Sequence, residues 1–261
     1  MIENVSPKKF LGQHFLIDEN ISKKIVNSVS LKEFHKIVEI GPGKGALTKY
    51  LFEFSDKLIL IEYDNESVEF IKSSFKKHNP NIIKQDFLKY NLKDVLSQTS
   101  KNLIIGNFPY NISSQIIFKI LENYLLVDNL TGMFQKEVAE RIISKPNSKE
   151  YGIISVKTQL LYDVKILFDV SPNVFFPKPR VNSSVISMTR KKNININFDL
   201  KLFDRLVKLS FQQRRKKIKN SLKKLEIKEN ILEDSIFGLR PEQLSVNDFI
   251  RLTQKISNET I

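Results

Sequence analysis

The segment Lys36-Ile-Val-Glu-Ile40 runs without a break into Gly41-Pro-Gly-Lys-Gly45. A short apolar run of this kind reads as a buried strand. Three glycines at its end let the backbone come close to a ligand where the next helix, expected over 46–54, begins. The alternation then repeats. A second strand is expected over 58–61, ending at Glu62, with Asp64 capping the following helix; a third over 82–83 ends at Asp86. A fourth covers 103–105 and is closed by Gly106, and a fifth covers 130–134 and leads into a helix over 137–143. Upstream, Asp18 caps a helix with Ile21, Ile25 and Val29 at helical spacing. Strands alternating with helices predict an α/β fold with a doubly wound, parallel, Rossmann-like sheet.

The second part of the chain reads differently. Two more strands are expected over 165–170 and 183–189, separated by the stiff excursion Pro172-Asn-Val-Phe-Phe-Pro-Lys-Pro-Arg180. From Asp199 onward the pattern is helical. The expected division is an α/β domain over 1–192 and a small all-helical domain over 193–261. Charge follows the same division. Residues 188–261 carry 17 Lys/Arg against 9 Asp/Glu, net +8, whereas residues 1–187 carry 25 against 20, net +5. The total of +13 points to a polyanionic partner, most simply nucleic acid. With no cysteine, disulfides, Cys-ligated zinc and Cys nucleophiles are excluded, and no metal is expected. The N-terminus lacks a signal-peptide core and no apolar run approaches a membrane span, so a soluble, cytoplasmic protein without membrane contact is expected.

Candidate chemistry gathers at the expected strand ends. Glu62 lies at the offset at which an acid holds the ribose of a bound nucleoside, although the glycine spacing departs from the dinucleotide pattern. Asp86, ending the neighbouring strand, is placed to accept a hydrogen bond from an adenine amine or simply to cap its own turn. The fourth strand leads into Asn107-Phe-Pro-Tyr110, with Ser113 expected to cap the next helix. Pro109 stiffens this turn and holds Phe108 extended. Taken alone, the turn reads equally as a site or as a bend whose tyrosine packs in the core. With the glycines, Glu62 and Asp86, a nucleoside ligand is favoured, either a dinucleotide or S-adenosylmethionine. Hydride transfer gives no reason for Asn-x-Pro-Tyr at this strand end. Methyl transfer to an exocyclic amine does, because an Asn oxygen and a backbone carbonyl accepting its two N–H bonds would localise the amine lone pair. Tyr110 then offers a ring on which an extruded base stacks.

From Arg205 to Lys224 the chain has nine Lys/Arg and no acid, with Phe211, Ile218, Leu222 and Leu225 as an apolar stripe. This predicts a basic helix around Arg214-Arg-Lys-Lys217, read as an RNA-phosphate contact in preference to a solvated face.

Over nearly its whole length the chain resembles the small-subunit ribosomal RNA adenine N6,N6-dimethyltransferases of the KsgA type. The matching segments are Lys9-Phe-Leu-Gly-Gln-His-Phe-Leu16, Val38-Glu-Ile-Gly-Pro-Gly-Lys-Gly-Ala-Leu-Thr48, Ile61-Glu-Tyr-Asp64, Gln85-Asp-Phe87 and Asn107-Phe-Pro-Tyr-Asn-Ile-Ser113. Gln135-Lys-Glu-Val-Ala-Glu-Arg141, Phe175-Phe-Pro-Lys-Pro-Arg180 and Phe211-Gln-Gln-Arg-Arg-Lys216 complete the set. The resemblance implies a methyltransferase domain followed by an RNA-docking domain. The implied activity is transfer of methyl groups from S-adenosylmethionine to two adjacent adenosines near the 3′ end of small-subunit ribosomal RNA. The implied partner is that RNA or an assembling small subunit, engaged by a monomer. By the same resemblance His14, Leu16, Gly41, Gly43, Glu62, Asp86 and Asn107 border the cofactor, Asn107, Pro109 and Tyr110 form the catalytic turn, and Arg214, Arg215, Lys216 and Lys217 meet RNA. Phe108 departs from the leucine usual in the family, and His14 stands where asparagine is a common alternative. Two rivals remain at this point: a large-subunit ribosomal RNA dimethyltransferase, and a non-catalytic assembly factor on the same fold.

Overall fold

The computed structural model describes residues 5–258, apart from Asn193, Asn195 and Glu226. In chain order its main elements are β1 (Phe15–Leu16), α1 (Glu19–Asn27), β2 (Lys36–Ile40), α2 (Thr48–Leu51), β3 (Leu58–Glu62), α3 (Asn65–Ser74), β4 (Ile82–Lys84) and β5 (Asn102–Asn107). There follow α4 (Ser113–Glu122), β6 (Asn129–Gln135), α5 (Lys136–Ile143), α6 (Ile153–Leu161), β7 (Tyr162–Val170), β8 (Phe175–Phe176) and β9 (Ser183–Arg190). The last four helices are α7 (Leu200–Gln212), α8 (Ile218–Ser221), α9 (Glu229–Leu232) and α10 (Val246–Asn258).

The chain packs as two compact units. The first joins Met1–Ala139 to Val164–Arg190, and the second joins Glu140–Asp163 to Lys191–Ile261. Residues 140–163, expected in the α/β domain, therefore pack with the helices that follow residue 190.

In the first unit seven strands form one sheet in the order β4-β3-β2-β5-β6-β9-β7. Strands β2 to β6 pair in parallel, and the Val/Ile/Leu-rich runs of β2, β3 and β5 fit central strands buried on both faces. The sheet is not parallel throughout, because β9 runs antiparallel to β6. Between β2 and β5 the strand order reverses: β3 and β4 step outward on one side, and the chain returns to lay β5 on the other. Ligands of open α/β sheets bind outside the carboxyl ends of the strands at such a point. A separate two-stranded ladder joins β1 to β8, with Phe15 opposite Phe176 and Leu16 opposite Phe175.

Local departures from expectation have identifiable causes. The expected helix over 46–54 is one α-turn, α2, followed by a 3-10 turn over Phe52–Phe54. Gly106 does not end its strand: β5 continues to Asn107, and Gly106 pairs with Gly132. Ser113 does not cap α4, since its hydroxyl donates to the Tyr110 carbonyl and Ile112 holds the cap position. Asp18 and Asp64 do cap α1 and α3, accepting from the Ile21 and Ser67 N–H groups.

The second unit is helical. Phe203, Leu206, Val207, Phe249 and Leu252 are buried in it, and the Phe211 ring lies 6.0 Å from Phe249 and 6.1 Å from Tyr151. The expected basic helix is interrupted. Helix α7 stops at Gln212, and the Ile218 N–H that opens α8 donates to Leu239 O at 2.8 Å, a tertiary partner that replaces a helical one.

Candidate active site

A cleft of about 370 Å³ opens at the carboxyl ends of β2, β3 and β5, within the range of small-molecule sites. His14, Leu16, Gly41, Gly43, Glu62, Asp86, Asn107, Pro109 and Tyr110 all line it. The fold thus brings together every residue expected to border the cofactor or form the catalytic turn.

Its floor is the turn after β2. Gly41 and Gly43 have φ of +64° and +55°, a region costly for residues with a side chain. A methyl on Gly41 would meet only Pro109, its Cδ at 3.8 Å, so this glycine opens onto the turn Asn107–Tyr110. Glu62 ends β3 and is 6% exposed. Its carboxylate accepts from the Gly43 N–H at 3.1 Å and the Asp64 N–H at 2.8 Å, which ties the glycine turn to the strand end. Burial pushes this carboxyl up, and the two backbone donors oppose that shift. Asp86 caps its own turn and also lines the cleft. Its Oδ1 accepts from the Leu88 N–H at 2.9 Å.

The opposite wall is the turn Asn107–Tyr110 and the N-terminal segment. Nδ2 of Asn107 donates to the His14 carbonyl at 2.9 Å, which leaves Oδ1 as the atom with which Asn107 accepts. Nδ1 of His14 donates to the Pro177 carbonyl at 2.6 Å, so this ring is held as a donor. The His14 ring also lies 5.3 Å from the Tyr110 ring at a tilt of 31°. The Tyr110 hydroxyl is hydrogen-bonded to Ser183 Oγ, which anchors the ring to β9.

Glu39 was not marked by the sequence, because an acid inside an apolar strand gives no positional signal. It is 2% exposed, lines the cleft, and its Oε2 has no hydrogen-bond partner among the described residues. Burial is the main cause that pushes its carboxyl up to about 8; Thr48 works against the shift and the charge of Glu62 with it. A folded-state value above the unfolded 4.5 means that the folded protein holds a proton the unfolded chain releases. The associated stability is full below about pH 4.5 and is lost as pH rises to about 8. Glu39→Gln keeps the shape without the titration. The melting temperature of the wild type is expected to fall more steeply across this window than that of the variant. Parallel profiles would show that Glu39 does not titrate there.

In the second unit the four basic candidates separate. Arg214 Nε donates to Glu242 at 2.7 Å and its guanidinium also to the Ser148 carbonyl at 3.1 Å, so Arg214 holds the fold of this unit. Arg215, Lys216 and Lys217 are exposed in the connection between α7 and α8.

An open sheet whose reversal point carries a glycine turn, a buried acid at the end of the neighbouring strand and an amide-proline-aromatic turn is built as a Rossmann-like methyltransferase, and this is the class of the chain. The family model for ribosomal RNA adenine dimethylases matches residues 4–260. The chain belongs to that family. It is 52% identical over 260 residues to ribosomal RNA small subunit methyltransferase A of Flavobacterium johnsoniae, covering 100% of this chain and 99% of the relative. The protein of the same name from Phocaeicola vulgatus is 47% identical over 253 residues, covering 97% and 90%. Among solved structures, a dimethyladenosine transferase from Plasmodium falciparum shares the fold with a TM-score of 0.82 at 23% identity, over 95% of this chain and 99% of that one.

Proposed function

We propose that the protein transfers methyl groups from S-adenosylmethionine to N6 of two adjacent adenosines near the 3′ end of small-subunit ribosomal RNA. The observation that carries this reading is the orientation of Asn107. A side-chain amide in a cleft is useful to an incoming amine only if its oxygen is the free end. The His14 carbonyl, by taking Nδ2, secures that. Oδ1 of Asn107 and the Phe108 carbonyl then accept the two N–H bonds of the adenine amine, drawing its lone pair out of the ring toward the methyl donor. No strong base is required, because the amine becomes acidic as the new bond forms. The work of the chain is positioning and fixed dipoles.

The cleft residues fit the cofactor. Gly41 gives room for close approach, Glu62 and Asp86 would be acceptors for ribose hydroxyls and an adenine amine, and a hydrogen-bonding group of the ligand would supply the partner that Glu39 Oε2 lacks. When bound, S-adenosylmethionine supplies an electrophilic methyl on a sulfonium. The small-subunit assignment is supported by the names of the relatives and by the match along nearly the whole chain. Mapping methylated adenosines in ribosomal RNA from cells with and without this protein tests the assignment directly. Unchanged methylation of small-subunit adenosines would end it.

We further propose that the helical unit docks RNA phosphates through Arg215, Lys216 and Lys217, working as a monomer in the cytoplasm. Phosphate contacts release counterions, so each one lost is expected to reduce the slope of log affinity against log salt by about 1. Replacing these three by glutamine should weaken RNA binding and flatten the salt dependence, with free cofactor binding unchanged. Arg214→Gln should instead lower the melting temperature, since it leaves Glu242 and the Ser148 carbonyl without their partner. A folded triple variant with an unaltered salt slope moves the docking surface elsewhere.

A further inference from the structure

Phe108 fills the position between the reacting amide and the proline, and its side chain is almost wholly buried, at 1% exposed. The ring lies in a slot made by two missing side chains. Gly106 on β5 and Gly132 on β6 are direct partners across the ladder. A Cβ on Gly132 would stand far inside van der Waals contact of ring atom Cε2 and 2.8 Å from Cζ, while one on Gly106 would stand 2.8 Å from Cε1. Phe134 closes the slot, its ring centroid 4.9 Å from that of Phe108 at a tilt of 54°. The Phe108 N–H donates to the Met133 carbonyl at 3.3 Å, so backbone and ring both hold this residue to β6.

These contacts fix more than packing. A residue before proline is restricted to extended backbone, which leaves little freedom except to swing the side chain and carbonyl together. With the ring keyed into the two-glycine slot, that swing is blocked. The Phe108 carbonyl and the Asn107 amide one residue earlier are then held in one arrangement. We infer that Phe108 is a positioning residue for the target amine, and that its ring and the bare α-carbon of Gly132 act as one unit in setting the catalytic turn. This inference rests on the methyl-transfer reading above. It also accounts for the departure from leucine at this position: a larger ring is tolerated because β6 contributes no side chain opposite Gly106.

The two positions should show reciprocal dependence. Phe108→Leu keeps an apolar core but leaves the slot part-empty, so kcat is expected to fall by about 10–100-fold, the scale of a small misplacement of reacting groups. KM for the RNA substrate and calorimetric cofactor affinity should stay near wild type, which a general loss of folding would not allow. Gly132→Ala alone drives a methyl into the ring and should impair both activity and melting temperature. Its Cβ would also come 2.9 Å from the Gly106 carbonyl oxygen, a contact that a small backbone shift relieves. In the Phe108→Leu background the ring is gone, and the double variant should exceed Gly132→Ala in both readouts. Wild-type kcat in Phe108→Leu, or a double variant no better than Gly132→Ala, would overturn the inference. If wild-type protein binds cofactor but methylates no small-subunit adenosine, the reaction reading fails instead, and the positioning role fails with it while the melting-temperature cycle still reports the steric pair.

Discussion

Replacing Asn107 by alanine is expected to lower kcat by about 10²–10³-fold, the usual cost of removing one preorganised dipole from a reacting centre. RNA affinity and cofactor affinity should change far less, because the proposed task of this amide begins only when the amine is in place. Asn107→Asp sharpens the test. A carboxylate keeps an acceptor but has no N–H for the His14 carbonyl, and two oxygens facing each other at 2.9 Å repel. If the orientation set by His14 matters, the aspartate variant should be nearly as impaired as the alanine one. An aspartate variant of wild-type rate would show that any acceptor in this place suffices. An alanine variant of wild-type rate would remove Asn107 from the chemistry.

Glu62→Ala should weaken S-adenosylmethionine binding by about 1.5–3 kcal/mol, as for the loss of hydrogen bonds to a charged group. In Kd this is roughly 10- to 150-fold. Two losses combine. In the proposed complex the ribose would lose its acceptor, and the Gly43 and Asp64 N–H groups lose the carboxylate that holds the glycine turn against β3. Glu62→Gln separates them, since its one oxygen can serve only part of this set. Its affinity should lie between those of wild type and alanine. RNA binding should be nearly unaffected in both. Calorimetry showing unaltered cofactor affinity in Glu62→Ala would take this residue out of the site.

The parts of this fold that were legible in the sequence are those whose signal is local. A strand buried on both faces is mostly apolar, Glu39 in β2 and Thr131 in β6 excepted, which makes β2, β3, β5 and β6 readable, and the glycine turn and Glu62 follow from their place at strand ends. Helix α6 gave no such signal. Ile154, Ser155, Val156, Thr158, Leu160 and Leu161 are all buried, so it lacks a polar face and with it the periodicity of a surface helix. The antiparallel entry of β9 was invisible because direction leaves no mark on composition. Gly106 misled because a glycine that admits a close neighbour looks the same as one that ends a strand. The orientation of Asn107 depends on a backbone carbonyl 93 residues earlier, and carbonyls carry no sequence signature. Arg214 and Arg215 differ only in what tertiary structure puts beside them.

The two units alternate in sequence, each built from two separated stretches of chain, and this bears on how the protein is made and cut. Synthesis delivers α6 before β7 is complete and before β9 exists, so the sheet of the first unit is incomplete when the first piece of the second unit emerges. That piece in turn waits for α7 and α10, the helices α6 packs against, until residues 200–258 have been made. No single cleavage point yields two whole halves. A fragment ending at residue 190 keeps α6 with its apolar sides stripped of partners, and invites aggregation. Point substitutions on the intact chain, not shortened versions, are therefore the means of assigning separate duties to the two units.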